Sequence, residues 1–154
     1  MMYWEDVEPG ARRELGTYTF SEDEIVRFAK KYDPQPFHID PEAAKRSLFG
    51  GIVASGWHTA AIWMKLAIAD RQKPGNASPL LRAGISPGYE DMRWLKPVRP
   101  GMTLTYSSEV TGKTELKSRR DVAIVLTRNE ARDEAGTLVF VFTGKSLAQR
   151  RPAA

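Results

Sequence analysis

The sequence contains no cysteine among its 154 residues. Disulfide bonds, thiolate nucleophiles and cysteine-based metal sites are therefore excluded. No apolar run approaches the roughly 20 residues that a membrane-spanning helix needs. The N-terminus has neither the basic start nor the apolar segment of a signal peptide. Together these absences predict a cytoplasmic protein that does not enter a membrane.

Only two histidines occur, and neither belongs to an HExxH motif or a comparable set of metal ligands. The GxGxxG and P-loop patterns of nucleotide-binding folds are missing, as is the Gly-x-Ser-x-Gly elbow of serine hydrolases. The sequence therefore predicts no metal and no cofactor.

The net charge is a modest +4, and basic residues concentrate at 71–73, 113–120 and 149–151. Such clusters can attract nucleic acid or a phosphorylated small molecule. No aromatic residues alternate with them to make a stacking surface for single strands. Solvated strand ends and a frayed tail explain these clusters better, so nucleic acid is not a predicted partner.

The helical segments follow from caps and from the spacing of apolar residues. Ser21, followed three residues later by Glu24, forms a capping box that starts a helix over 21–31. Asp40 and the proline after it start a short helix over 41–47. From Gly56 or the next residue to about position 70 the chain is apolar nearly all round, which predicts a central helix buried on most sides.

The remaining segments predict strands and loops. A strand is expected at 14–20, and four more at about 88–95, 102–112, 119–133 and 137–148, where the apolar period changes to two. Proline-rich stretches predict a stiff, irregular loop at 32–41 and an exposed loop at 73–79. The length favours one domain over 1–154, with its core at about 7–148. This order is typical of an α+β fold in which an antiparallel sheet wraps around a long central helix.

Asp33 and His38 lie five residues apart on the predicted loop. Pro34 and Pro36 restrict the backbone between them, so both side chains can converge on one point. An imidazole and a carboxylate so placed can hold a water molecule and move its protons. A helix-end aspartate and a structural histidine would give the same spacing, and the spacing alone leaves both readings open.

Gly56 stands where the central helix begins. Backbone N–H groups at a helix start are unpaired and carry the positive end of the helix dipole, so they can stabilise an oxyanion. A glycine required by a tight loop-to-helix turn is the alternative. His58, in the first turn of the same helix, is expected to be structural rather than catalytic.

Three segments in this order resemble the MaoC-like dehydratases, the (R)-specific enoyl-CoA hydratases. Residues 33–41 are similar to the hydratase motif D-x-N-P-x-H-x-D-P, residues 50–56 to the "pIvhGm" segment, and residues 93–104 to the "rFlkPVrpGDtl" strand-turn-strand. Gln35 replaces the motif's asparagine, one extra residue precedes Gly56, and Met64 occupies a position where some members have serine.

The resemblance implies a single hotdog domain and a homodimer or higher homo-oligomer. It also implies a hydro-lyase that adds water reversibly to a trans-2-enoyl thioester carried by coenzyme A or acyl carrier protein. Asp33 and His38 would be the catalytic pair and Gly56 the oxyanion donor. Substrate contacts are expected from Ser55, Trp57, Lys96 and Arg99.

The resemblance leaves two other functions open. A hotdog thioesterase is disfavoured, since such enzymes generally carry a carboxylate on the central helix and positions 57–69 have none. A non-catalytic module that binds acyl thioesters is the other. Trp57 and Trp63 favour a short or medium acyl group.

Overall fold

The structure, a computed structural model, describes residues 2–75 and 85–152. The exposed loop predicted at 73–79 falls mainly outside these residues. After a 3-10 turn at Trp4–Asp6, the elements in chain order are β1 (Arg12–Thr19), α1 (Glu22–Tyr32), α2 (Pro36–Ile39), α3 (Pro41–Arg46), α4 (Gly56–Arg71), β2 (Gly88–Trp94), β3 (Thr103–Glu115), β4 (Val122–Arg132) and β5 (Leu138–Gln149).

The five strands form one antiparallel sheet in the order β1-β3-β4-β5-β2. The hairpin between β4 and β5 turns at Gly136, which has a φ of 80° that a glycine adopts without strain. The Asp133 carboxylate tightens this turn by accepting from the backbone N–H groups of Ala135 and Thr137 at 3.0 and 2.9 Å. The two strands expected on either side of this turn, at about 119–133 and 137–148, are confirmed.

The sheet curves around α4, a helix of 16 residues. Ile62, Trp63 and Ala67 of α4 are buried in one core with Phe140 and Phe142 of β5. Trp63 meets Phe142 edge-on, with ring centroids 4.7 Å apart, an arrangement that aromatic rings prefer. The predicted α+β layout, with a sheet wrapped around a central helix, is confirmed.

Burial of α4 on most sides was the one wrong expectation for this helix. Trp57, Ala61, Met64 and Ile68 lie on one face, three or four residues apart, and are exposed. Nothing within the described parts of the chain covers this apolar face. Among those parts, no helix is long and apolar enough to cross a membrane.

The segment between α1 and α3 departs from the irregular loop expected there. Pro36 occupies the first position of the helical turn α2, where its missing N–H costs nothing. The turn is closed by hydrogen bonds from His38 N–H to the Gln35 carbonyl and from Asp40 N–H to the Pro36 carbonyl, both 2.9 Å. The Asp40 carboxylate then caps α3, as predicted. This turn sets the direction of the His38 side chain.

Candidate active site

A cavity of about 370 Å³ opens between α2, the start of α4 and the connection from β2 to β3. Five residues singled out from the sequence line it: Asp33, His38, Gly56, Trp57 and Lys96. Its other walls are mainly aromatic or aliphatic, with Phe37, Phe49, Val53, Trp94, Leu95 and Val98 among them. The cavity thus combines a few polar groups with apolar walls, as small-molecule sites do.

His38 is buried, and a backbone carbonyl from another segment holds its ring. Its Nδ1 lies 2.6 Å from the carbonyl oxygen of Val53. Because a carbonyl only accepts hydrogen bonds, Nδ1 carries a proton, and in the neutral ring Nε2 has a free lone pair. Nε2 lies 3.3 Å from the Asp33 Oδ2 atom. Nε2 is therefore the atom of His38 that can exchange a proton with a group beside the carboxylate.

Asp33 follows the last residue of α1, and both of its carboxylate oxygens are engaged. Ser55 Oγ donates to Oδ2 at 2.7 Å, and Gln35 Nε2 donates to Oδ1 at 2.8 Å. Desolvation raises the pKa of Asp33, but these two hydrogen bonds and the nearby His38 outweigh it, so the pKa lies below its ordinary value. Asp33 is therefore ionised at neutral pH.

Gly56 is the first residue of α4, and Ser55 is its N-cap. Within the described residues the Gly56 N–H has no acceptor, and it stands at the positive end of the helix dipole. The Gly56 carbonyl accepts from Trp94 Nε1 at 2.9 Å. A Cβ atom at position 56 would lie only 2.6 Å from the Trp94 ring. The indole therefore requires glycine here.

Three residues expected to contact substrate have other contacts in this structure. Ser55 is fully buried and bonded to Asp33 rather than lining the cavity. Arg99 donates from Nη2 to the Phe49 carbonyl at 2.7 Å and lies off the cavity wall. Lys96 lines the cavity but is paired with Asp133 at 2.5 Å. Their substrate contacts stay predictions.

Sequence reasoning did not assign Trp94 to the site, although the residue lies within a segment that carried the family resemblance. It stacks on Phe140, with ring centroids 5.8 Å apart, and meets Trp57 edge-on at 5.5 Å. Its contact with Gly56 joins positions 38 apart in the sequence. No local pattern could have indicated that pairing.

His58 lies outside the cavity wall, in an aromatic cluster. Its ring stacks on Phe28 at 4.5 Å and meets Phe20 edge-on at 5.0 Å. Burial lowers the pKa of His58; Glu24 raises it and Arg27 lowers it to lesser extents. A neutral, packed imidazole agrees with the structural role expected for it.

No group of three or more histidine and acidic side chains within residues 2–75 and 85–152 could hold a metal ion.

An antiparallel sheet wrapped around one central helix, with a cavity at the start of that helix, is the architecture of the hotdog class of proteins. Residues 6–131 match the family described as MaoC like domain. The chain belongs to this MaoC-like dehydratase family, and the expected hotdog fold is confirmed.

Individual relatives agree with this assignment. The uncharacterised Bacillus subtilis protein YdeM is 37% identical over 106 residues, which are 69% of this chain and 71% of YdeM. The crystal structure of the MaoC-like dehydratase from Rhodospirillum rubrum is 37% identical, with a TM-score of 0.83, and the match covers 99% of this chain and 100% of that one. The (R)-hydratase from A. caviae involved in PHA biosynthesis, 23% identical with a TM-score of 0.67 over 96% and 99% of the two chains, shares the fold.

Proposed function

We propose that this protein is a hydro-lyase that interconverts a trans-2-enoyl thioester and water with an (R)-3-hydroxyacyl thioester. One observation carries the proposal: the Nε2 atom of His38 and the Asp33 carboxylate lie side by side at a cavity that Gly56 also lines. This is the arrangement needed to hold a water molecule beside a polarised enoyl thioester.

In the hydration direction, a water molecule donates one hydrogen bond to His38 Nε2 and is oriented by Asp33. As its oxygen bonds to C3, Nε2 takes the water proton, and the C2=C3 electrons move toward the thioester carbonyl. The Gly56 N–H donates to the carbonyl oxygen as enolate character develops. The imidazolium then returns the same proton to C2, on the face that received the hydroxyl group. One water is added, and the enzyme ends as it began.

The substrate is proposed to be a coenzyme A or acyl carrier protein thioester with a short or medium acyl group. Large aromatic walls, including Trp57, Trp94 and Phe49, support the limit on acyl size. Lys96 on the cavity wall and Arg99, three residues further along the chain, support an anionic carrier because both side chains are cationic and exposed. The location of the protein in the cytoplasm stays a prediction from the sequence.

A homodimer is part of the proposal. The exposed face of α4 runs beside β2, which ends the sheet and pairs with one strand in the described chain. Tyr89 and Trp94 on this edge strand are each 42% exposed. A second copy that covers the helix face and extends the sheet edge would bury both, which is the usual remedy for an open apolar edge.

Light scattering is expected to give about twice the 17.3 kDa chain mass at micromolar concentration. Met64→Glu puts a charge on the apolar face of α4 and should shift the protein toward monomer. Leu48→Glu is the matched control, because Leu48 is 98% exposed and lies outside α4. A monomeric parent protein, or equal dissociation in both variants, would contradict the dimer.

The hydratase is tested with a panel of enoyl-CoA esters that starts with crotonyl-CoA. Hydration is expected to remove the enoyl absorbance without releasing free thiol. Thiol release would instead support a thioesterase, although the one carboxylate of α4, Asp70, lies in its last turn and is paired with Arg13 and Lys73. Binding of esters without any turnover would support a non-catalytic module. Either of those outcomes would overturn the hydratase.

A further inference from the structure

We propose that Ser55 is a positioning residue that couples the N-terminus of α4 to the Asp33 carboxylate and so sets which oxygen of Asp33 faces the reacting water. The inference rests on the proposed function, because it assigns the part Ser55 has in that reaction. Ser55 is the residue beside the extra position in the segment before Gly56, where the chain departs from the family pattern.

The Ser55 hydroxyl accepts one hydrogen bond and donates another. Its Oγ accepts the backbone N–H of Trp57 at 3.2 Å, as a helix N-cap does. Its hydroxyl proton is then free for Asp33 Oδ2, which accepts it at 2.7 Å. The Ser55 side chain is fully buried, so water does not compete for either bond. The hydroxyl therefore connects the positive end of α4 to Oδ2, one of the two carboxylate oxygens of Asp33.

Oδ2 is the Asp33 oxygen that lies beside the proton-transferring atom of His38. It is 3.3 Å from His38 Nε2, whereas Oδ1 is held by Gln35. Two donors on different oxygens prevent the carboxylate from rotating about its Cβ–Cγ bond. Without Ser55, Oδ2 would lose its donor, and the carboxylate would turn away from Nε2.

The hydrogen bond from Ser55 to Asp33 also favours the ionised form of the Asp33 carboxylate. A hydrogen bond to an ionised acceptor favours the charged form, and Ser55 is the foremost of the groups that lower the pKa of Asp33. Among the described residues, the titratable group facing Asp33 is His38 on α2, and Lys96 lines the same cavity. The one carboxylate of α4, Asp70, lies at the other end of that helix.

The test compares Ser55→Ala with the parent protein in the pKa of the Asp33 carboxyl, followed by NMR titration and assigned with Asp33→Asn, and in kcat/KM for crotonyl-CoA hydration. Loss of the bond should raise the pKa of Asp33 by about one unit, the size expected when a carboxylate loses one hydrogen bond. The value of kcat/KM should fall roughly tenfold, because the freed carboxylate no longer orients the water. Ser55→Thr, which keeps the hydroxyl, should restore both quantities.

Ser21→Ala is the matched control, because Ser21 also caps a helix through its hydroxyl and does not contact Asp33. It should lower stability without moving the pKa of Asp33. Because the NMR titration needs no turnover, it tests the role of Ser55 even in a protein that proves inactive. An unchanged pKa of Asp33 in Ser55→Ala would overturn the role of Ser55, whereas a shifted pKa in a protein that hydrates no enoyl thioester would overturn only the proposed function.

Discussion

Replacing Asp33 with asparagine or His38 with alanine is expected to lower the turnover of enoyl-CoA hydration by roughly two to four orders of magnitude, the range for a lost acid–base group. Asparagine keeps the size of Asp33 but cannot carry its negative charge, so the water loses its anionic partner. Alanine at position 38 removes the Nε2 atom that accepts the water proton. Steady-state kinetics on crotonyl-CoA measure both losses.

Asp40→Asn is the control for the aspartate change. Asp40 lies at the far end of the same turn, but its carboxylate caps α3. Asparagine caps helices about as well as aspartate. This variant should therefore keep turnover within about twofold of the parent, since removal of a cap is worth only about 1 kcal/mol. Parent-like turnover in Asp33→Asn or in His38→Ala would remove the proposed mechanism.

The double variant tests whether the two groups act on one water. If Asp33 and His38 hold the same molecule, losing the second group adds little once the first is gone, because catalytic groups that act as a unit are not additive. Two independent contributions would instead multiply. The 3.3 Å separation of Nε2 and Oδ2 favours the shared water, since one oxygen atom can reach both.

Signals local in the sequence led to correct predictions for most elements. A segment that is apolar nearly all round located α4, observed at Gly56–Arg71. A segment rich in β-branched and aromatic residues located the strand expected at 14–20, observed at Arg12–Thr19. The caps Ser21 and Asp40 lie where predicted because each bonds to a backbone N–H two or three residues away. Such contacts are set by the residue and its near neighbours.

Features that depend on distant contacts were not predictable. The bond from Ser55 to Asp33 spans 22 positions, and that from Trp94 to Gly56 spans 38. The exposed face of α4 was missed for a related reason. The sequence pattern of an apolar helix face is the same whether that face is covered by residues of its own chain or by another chain. The short turn α2 was read as a loop because proline marks both loops and helix starts.

Replacing Gly56 with alanine is expected to lower both the stability of the protein and its turnover. Gly56 is helical and has no positive φ, and alanine at a helix position is otherwise favoured by about 1 kcal/mol. The new Cβ, however, would lie 2.6 Å from Cε2 and from Nε1 of Trp94. Overpacking of this kind costs roughly 1–3 kcal/mol. We therefore expect a net loss of stability despite the favourable helix propensity.

Gly56→Ala should lower turnover by more than its loss of stability accounts for. Because the indole is held against Phe140 and Trp57, relief of the clash is expected to move the start of α4, which shifts the Gly56 N–H from the position proposed for the thioester oxygen. Loss of one oxyanion donor lowers turnover by roughly 10²–10³-fold. Chemical denaturation and steady-state kinetics on the same preparation separate the two effects. Gly51→Ala is the matched control, since a Cβ there would lie an ordinary 3.7 Å from the Arg99 side chain.

The Trp94→Ala background identifies the cause of the loss. If the clash with the indole is responsible, Gly56→Ala should cost no stability once the indole is gone, and its helix propensity should return as a small gain. Turnover of the double variant should then match that of Trp94→Ala alone, because the Gly56 N–H keeps its place. Equal losses in both backgrounds would contradict this account. They would show that the backbone at position 56 itself requires glycine, and that Trp94 packs there as a consequence.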